Sequence, residues 1–450
     1  MEITVKNKIN IKSLFKLTIP IFFELILQIL LGNVDKIMVR NDASATAINQ
    51  ANSIIDMLTV SVSVLASGSL ILINQYKGAQ NKENEKKVYS IAFFFNVLLG
   101  LIIGIFLLIF SNQVLLWMNV SMESYSEAVL YLRLNGSFLV LQSIILSLSA
   151  FLRSNELVLQ GFIVSSIFNL LNVLLNALFL YVLHIPGVLA VGLGTIISRF
   201  TGCIILFILL FKKTSIRFSL HDALFTSKQE LKKLLKVSVP SAGESISYSL
   251  SQIVILTIIN IIGMEINPGA PTAKTYTYIM IHFSSIFTSS IAQAMQIMIG
   301  RYLGAKDIKS AEKVIKLTLV IAILSSIFIA TIQAVFSRQI FSLFTNDKTV
   351  IDLCVKIMWV DVILEIGRAT NITLVRALQT NGDVLFPTLL SIFFCWVVAI
   401  TGSILLGIVL KLGIIGVWIS MTIDELSRGL IFIIRLNKGK WKNKNFIIAN

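Results

Sequence analysis

Between Trp359 and Gln379 an apolar segment carries Asp361, Glu365, Arg368 and Asn371. At roughly 100° per residue the first three fall within an arc of about 60°, so they share one helix face. Carboxylates and a guanidinium at that spacing can pair with one another, hold a proton or ligate a hard cation. They cannot face hydrocarbon, where a charge costs at least ~2.5 kcal/mol even on lenient insertion scales, and such residues turn toward a partner or a wet cavity. Glu365 and Arg368, one turn apart, suffice for a structural ion pair, which leaves Asp361 in need of a partner from elsewhere in the chain. Other acids stand in similar surroundings: Glu244, four residues past Pro240, and Asp424 and Glu425 with Arg428 in WISMTIDELSRG.

The elements that position these residues follow from composition. The 450-residue chain is 56% hydrophobic and 14% charged, far below the roughly 25% charged residues of a soluble domain, so the expected class is an all-α polytopic membrane protein. At ~20 apolar residues per crossing the chain offers about twelve transmembrane helices, near 15–38, 46–73, 90–111, 127–151, 159–183, 188–211, 237–262, 273–299, 315–337, 351–375, 386–410 and 414–436. The first apolar run is too long for a signal-peptide core and reads as a span. The net charge of +15 sits in alternate short loops: Lys6, Lys8, Lys12 and Lys16 at the start, Lys77, Lys82, Lys86 and Lys87 after the second span, and a basic linker over 212–236. The opposite loops, 111–127 and 183–187, carry no Lys or Arg, and the positive-inside rule places both termini in the cytoplasm. Nucleic acid is not implied as a partner. Cys203, Cys354 and Cys395 show no metal-ligand spacing, and no nucleotide loop, catalytic triad order or Cys/His cluster occurs. The chain reads as a non-enzyme without a cofactor.

An internal repeat divides the chain. QYKGAQNKENEKKV resembles RYLGAKDIKSAEKV, pairing Tyr76 with Tyr302 and Gly78 with Gly304 at an offset of 226, and the same offset pairs Asn155 with Asn381 and Gly187 with Gly413. Before the MEINPGAPT loop the offset is 220, pairing Pro20 with Pro240 and Glu24 with Glu244. Two parallel six-helix lobes related by a pseudo-twofold axis are therefore expected, over 1–211 and 237–450, with 212–236 as the linker; parallel repeats place a transport path at their interface. Asp361 and Asp424 each lie about ten residues, or ~15 Å, from the outer ends of their spans, near the midplane where coupling sites cluster. The amino half carries Asn135, Gln142 and Ser198 opposite Asp361, Arg368 and Asp424, so the two lobes differ in charge.

Pro20 followed by Asp35 in NVDKIMV, the QYKGA loop, its echo RYLGAKD, and LNVLLNALFLY together resemble the MATE multidrug and toxic compound extrusion family, over nearly the whole chain. The resemblance implies cation-coupled export of organic compounds driven by Na+ or H+. It places an amino-lobe ion site at Asp35, Asn172, Asn176 and Thr195, with Asn176 where many relatives have Asp, which weakens a Na+ site there. Asn172 and Asn176, at i and i+4, can also serve as interhelical hydrogen-bonding groups. In the carboxyl lobe the candidate coupling residues are Glu244, Asp361, Glu365, Arg368 and Asp424, expected as one buried network, with Asp361 and Asp424 as an alternative Na+ site. Met280, Gln293, Gln296 and Asn371 are candidate cavity residues; the flexible thioethers of the eighth span suit a promiscuous apolar pocket, and equally an ordinary core.

The expected function is thus a Na+- or H+-coupled antiporter exporting organic, cationic or amphipathic small molecules by alternating access, as a monomer surrounded by lipid in the plasma (inner) membrane. The runner-up is a lipid-linked oligosaccharide flippase of the same superfamily. A pyrophosphate cavity needs several mid-membrane cations, whereas only Arg199, Arg368 and Arg428 qualify here and carboxylates adjoin the last two.

Overall fold

In the computed structural model the described residues are 11–39, 41–118, 122–226, 228–442, 444 and 446; Lys6 and Lys8, counted above as topology signals, lie outside them. These residues form α1 (Ile11–Met38), α2 (Asp42–Gly78), α3 (Lys82–Trp117), α4 (Met122–Ser137), α5 (Leu139–Ser154), α6 (Val158–Ala177), α7 (Gly187–Lys213), α8 (Lys228–Glu265), α9 (Ala270–Gly304), α10 (Ile308–Val335), α11 (Ser337–Ser342), α12 (Lys348–Thr380), α13 (Leu385–Phe393) and α14 (Gly413–Asn437). Among the described residues, seven helices are long and apolar enough to cross a membrane alone. The fourth predicted span is α4 and α5, bent by 43° at Phe138. Here α3 crosses at close range: a Cβ on Gly104 would stand 2.5 Å from the Ser137 carbonyl oxygen. The charges of α12 and α14 lower their apolarity, and with α1 and α9 they complete twelve crossings in two lobes.

The first compact unit is Ile19–Val239, and the second is Pro240–Asn450 with the stretch up to Thr18. The boundaries fall beside Pro20 and at Pro240, inside α1 and α8, so the start of each lobe's first helix is grouped with the other lobe. The stretch Lys228–Val239, predicted partly as linker, is helical and is held within the first unit: Tyr76 Oη donates to Glu230 Oε2 at 2.5 Å, and Lys233 Nζ to Tyr76 Oη at 2.9 Å.

The repeat register survives as local geometry. Gly78 and Gly304 each end a helix, and Gly187 and Gly413 each begin one. Asn155 and Asn381 each cap a helix while donating to the carbonyl four residues back, at 2.7 and 2.9 Å. Left-handed backbone recurs at the same offset, at Gln80 and Lys306 and at Glu156 and Gly382. The helix of α6 continues as a π turn over Leu178–Val182, and a π segment over Ser403–Val409 covers the equivalent place.

Within the second unit a chain extension covers the end of the bundle. Trp441 is fully buried, Lys444 Nζ stands 2.7 Å from Asp383 Oδ1, and Arg435 Nε stands 2.9 Å from Asp383 Oδ2. Asp383 lies three residues past the end of α12, so this contact fixes the turn after the helix that carries Asp361.

Candidate functional site

In the amino lobe the four residues singled out by sequence come together. Asp35, near the end of α1 and 8% exposed, accepts from Asn176 Nδ2 at 2.7 Å through Oδ1 and from Thr195 Oγ1 at 3.3 Å through Oδ2. Asn172 Nδ2 donates to Thr195 Oγ1 at 3.2 Å. The i, i+4 pair on α6 thus reaches Asp35 partly through α7. Tyr131 of α4, which sequence reasoning did not select, also donates to Asp35 Oδ2, at 3.4 Å. A polar tip in an apolar run, one turn before Asn135, was its only signal. Asn176 Oδ1 makes no hydrogen bond and is buried against Gly194, where a Cβ would come within 2.1 Å. The carboxylate is surrounded by donors, whereas a hard cation needs oxygens turned toward it. The set suits a carboxylate held by hydrogen bonds better than a Na+ cage.

The carboxyl lobe buries more charged side chains. Asp361 and Glu365 on α12 are fully buried. Arg368, one turn on, pairs with Glu365 and stands 3.7 Å from Asp361 Oδ1. This contact supplies the partner that Asp361 lacked in the sequence. On α14, Arg428 Nη2 stands 2.7 Å from Asp424 and 3.0 Å from Glu425. Asn371 ties α12 to α14, because its amide donates both to the Glu425 carboxylate and, at 2.9 Å, to the Glu425 carbonyl. Gly367 lets the helices approach, with no room for a Cβ against Glu425. Each guanidinium therefore serves two carboxyl groups, so acids outnumber cations two to one in each triad.

The single expected network resolves into two arginine-centred triads and a separate group around Glu244. Asp361 and Asp424 are bound to different arginines, and no group of three or more acidic, His or Cys side chains suited to a metal occurs among the described residues. Glu244 lies apart from both triads. Its Oε2 accepts from Gln379 Nε2 and Thr388 Oγ1, each at 3.3 Å. It lines a cavity of about 280 Å³ with Tyr248, Ser391, Cys395 and Arg428. Glu425, Arg428, Gln379 and Thr388 are the neighbours that the sequence did not rank as site residues.

The candidate cavity residues fall elsewhere. Asn371 and Gln296 are buried, the first held to Glu425 and the second accepting from Arg376 Nη1 at 3.4 Å. Met295 and Met298 belong to the core. Met280 is half-buried, and its carbonyl accepts from Gln333 at 2.9 Å; Gln293 is half-buried on the same helix.

Comparison with known proteins gives a consistent result. A MatE family model matches residues 20–178 and 240–405. The chain is 30% identical over 437 residues to the uncharacterized transporter YisQ of Bacillus subtilis, covering 96% of this chain and 95% of that one. It is 24% identical to the probable multidrug resistance protein NorM of Thermotoga maritima, over 96% and 93% of the two chains. Among solved structures it matches a MOP superfamily transporter from Pyrococcus furiosus with a TM-score of 0.88 at 19% identity, covering 96% of each chain. It also matches a MATE structure in the bent conformation with a TM-score of 0.89 at 19% identity and the same coverage.

Proposed function

The chain belongs to the MatE family, and on that premise we propose that it exports organic, cationic or amphipathic compounds by alternating access, coupled to the inward flow of Na+ or H+. It is an integral multi-pass membrane transporter; the proposal concerns what drives it, what it carries and how it sits. The basic loops support an inner-membrane orientation with both termini cytoplasmic, and a monomer suffices because one chain holds both lobes. No cofactor is required, since the gradient supplies the driving force.

The observation that carries the reading is the excess of carboxylate over guanidinium inside the carboxyl lobe. Glu244, Asp361, Glu365, Asp424 and Glu425 face Arg368 and Arg428. Stable scaffolding in a membrane favours matched or absent charge. An unmatched carboxylate beside a cavity attracts a cationic substrate and, in its absence, a proton or Na+.

Antiport needs ion and substrate to favour opposite conformations, because a ligand shifts an equilibrium only by its differential affinity for the two states. A cation arriving from outside reduces the repulsion within the carboxylate set and its attraction for a cationic substrate, which then leaves outward. Pro20 and Pro240 lack the N–H that holds a helix straight, so α1 and α8 are the natural places for bending. The alternative of carrying a pyrophosphate-linked sugar receives less support, since Arg368 and Arg428 are both engaged by carboxylates.

The test is export of an ethidium-like cation from proteoliposomes under separately imposed Na+ and H+ gradients. Export driven by one of the two supports the reading; efflux indifferent to both removes it.

A further inference from the structure

After α7 the chain folds back onto α3 before α8 begins. Phe218 stacks on Phe93 of α3, ring centroids 4.4 Å apart and 15° from parallel, with Phe207 and Phe211 of α7 beside it. The Ser219 N–H donates to Ser90 Oγ at 3.0 Å, and the π turn Asp222–Thr226 that follows also packs on α3. Ile216 and Ala223 are buried, so this stretch has an inner side fixed to the amino lobe.

The place of the contact along α3 sets its depth. From Ser90 to Trp117, the last residue of α3, the rise is ~40 Å at 1.5 Å per residue, about the thickness of a bilayer with its headgroups. Ser90 therefore lies at the headgroup level, and Phe93 one turn further in. A turn covered by water at this level needs a polar outer side. Instead Leu220, Leu224 and Phe225 are 53%, 51% and 71% exposed. Three large apolar side chains within six residues, outside a turn whose inner side is already packed, are the pattern of an element that lies in the plane of the interface.

Charge complements that pattern. Lys212, Lys213 and Arg217 before the turn and Lys228, Lys232 and Lys236 after it are all exposed. Of the two acids nearby, Glu230 is buried and held by Tyr76 and Lys233, and Asp222 is half-buried beside His221. The basic turn between α9 and α10 makes a useful contrast, because its Lys309 and Lys313 are exposed without any exposed large apolar neighbour. Basic loops of that kind record topology alone, whereas 212–225 joins cations to an apolar insertion surface.

We propose that the stretch 212–225 is an interfacial anchor for anionic phospholipid: Leu220, Leu224 and Phe225 enter the acyl-chain boundary of one leaflet, and Lys212, Lys213 and Arg217 hold phosphodiester headgroups around them. The orientation proposed above makes this the cytoplasmic leaflet. The anchor concerns how the amino lobe meets lipid and is independent of the ion and the substrate, so the export reading stands or falls separately.

The experiment places a nitroxide label at Leu224→Cys in the full chain, whose three native cysteines are all buried, in nanodiscs of phosphatidylcholine containing phosphatidylglycerol. The label should collide with oxygen in preference to a water-soluble nickel chelate, and a label at Lys440→Cys, exposed after α14, should do the reverse. The second arm follows the melting temperature of the full chain in detergent as phosphatidylglycerol is added. A surface cation contributes roughly fivefold to anionic-lipid affinity, so Lys212→Gln, Lys213→Gln and Arg217→Gln together should weaken the lipid response by roughly tenfold or more. Lys309→Gln with Lys313→Gln should leave it close to wild type, and melting before lipid is added reports whether each variant is folded. The anchor is overturned if the Leu224→Cys label is as open to the nickel chelate as the Lys440→Cys label, or if the two sets of substitutions weaken the response equally. It is also overturned if inorganic phosphate stabilises the chain as phosphatidylglycerol does, which would mark a site for soluble anions.

Discussion

Gly367 on α12 lies so close to Glu425 on α14 that a Cβ added to it would stand 2.6 Å from the Glu425 carbonyl carbon. This contact sets the spacing at which Asn371 can donate to the Glu425 carboxylate and carbonyl together. Gly367→Ala should therefore force the two helices apart, with an overpacking cost of about 1–3 kcal/mol and a lower melting temperature. Gly243 provides the control, since a Cβ there meets nothing within 4 Å. Gly243→Ala should leave the melting temperature unchanged or slightly raised.

Arg368 is the shared partner of Glu365 and Asp361. Its removal strands two buried carboxylates, and breaking a buried pair in this way costs about 3–5 kcal/mol. Arg368→Ala should be markedly less stable than Asp361→Asn, which removes a charge from a triad that has one carboxylate in excess. Thermal unfolding of the two variants in the same detergent decides the order. Equal losses would contradict the charge count.

Gly382 packs directly against the backbone of Lys444. Its φ of 87° lies in the left-handed region, and a Cβ would meet the Lys444 carbonyl oxygen at 2.1 Å. Gly382→Ala should loosen the contact of Lys444 with Asp383 and expose the chain after Trp441. Trypsin cleavage at Lys442 and Lys444 in native-state digestion should accelerate several-fold. Unchanged cleavage would show that the extension is held independently of this turn.

Much of this arrangement was legible in the sequence, and the reasons are physical. Twelve crossings and two halves follow from hydropathy and from a register that also preserves loop residues; Gln80 and Lys306, unlike in side chain, share left-handed backbone because the turn geometry is duplicated. The gathering of Asp35, Asn172, Asn176 and Thr195 was likewise anticipated through the family resemblance. The break at Phe138 was not, because an apolar run records burial from water and carries no mark of a bend set by the close crossing of Gly104 and Ser137. Nor did spacing along one helix reveal that Arg368 and Arg428 each gather their own acids. The separation of Asp361 from Asp424 depends on how α12 and α14 face each other, which is a tertiary fact.

Coupling of the ion to export by the carboxyl-lobe acids is read from substrate export out of proteoliposomes by Asp361→Asn beside the wild type, under imposed Na+ and H+ gradients. The variant should remain folded and keep some substrate binding but lose gradient-driven export. Asp361→Asn exporting at the wild-type rate under the same gradient would contradict it.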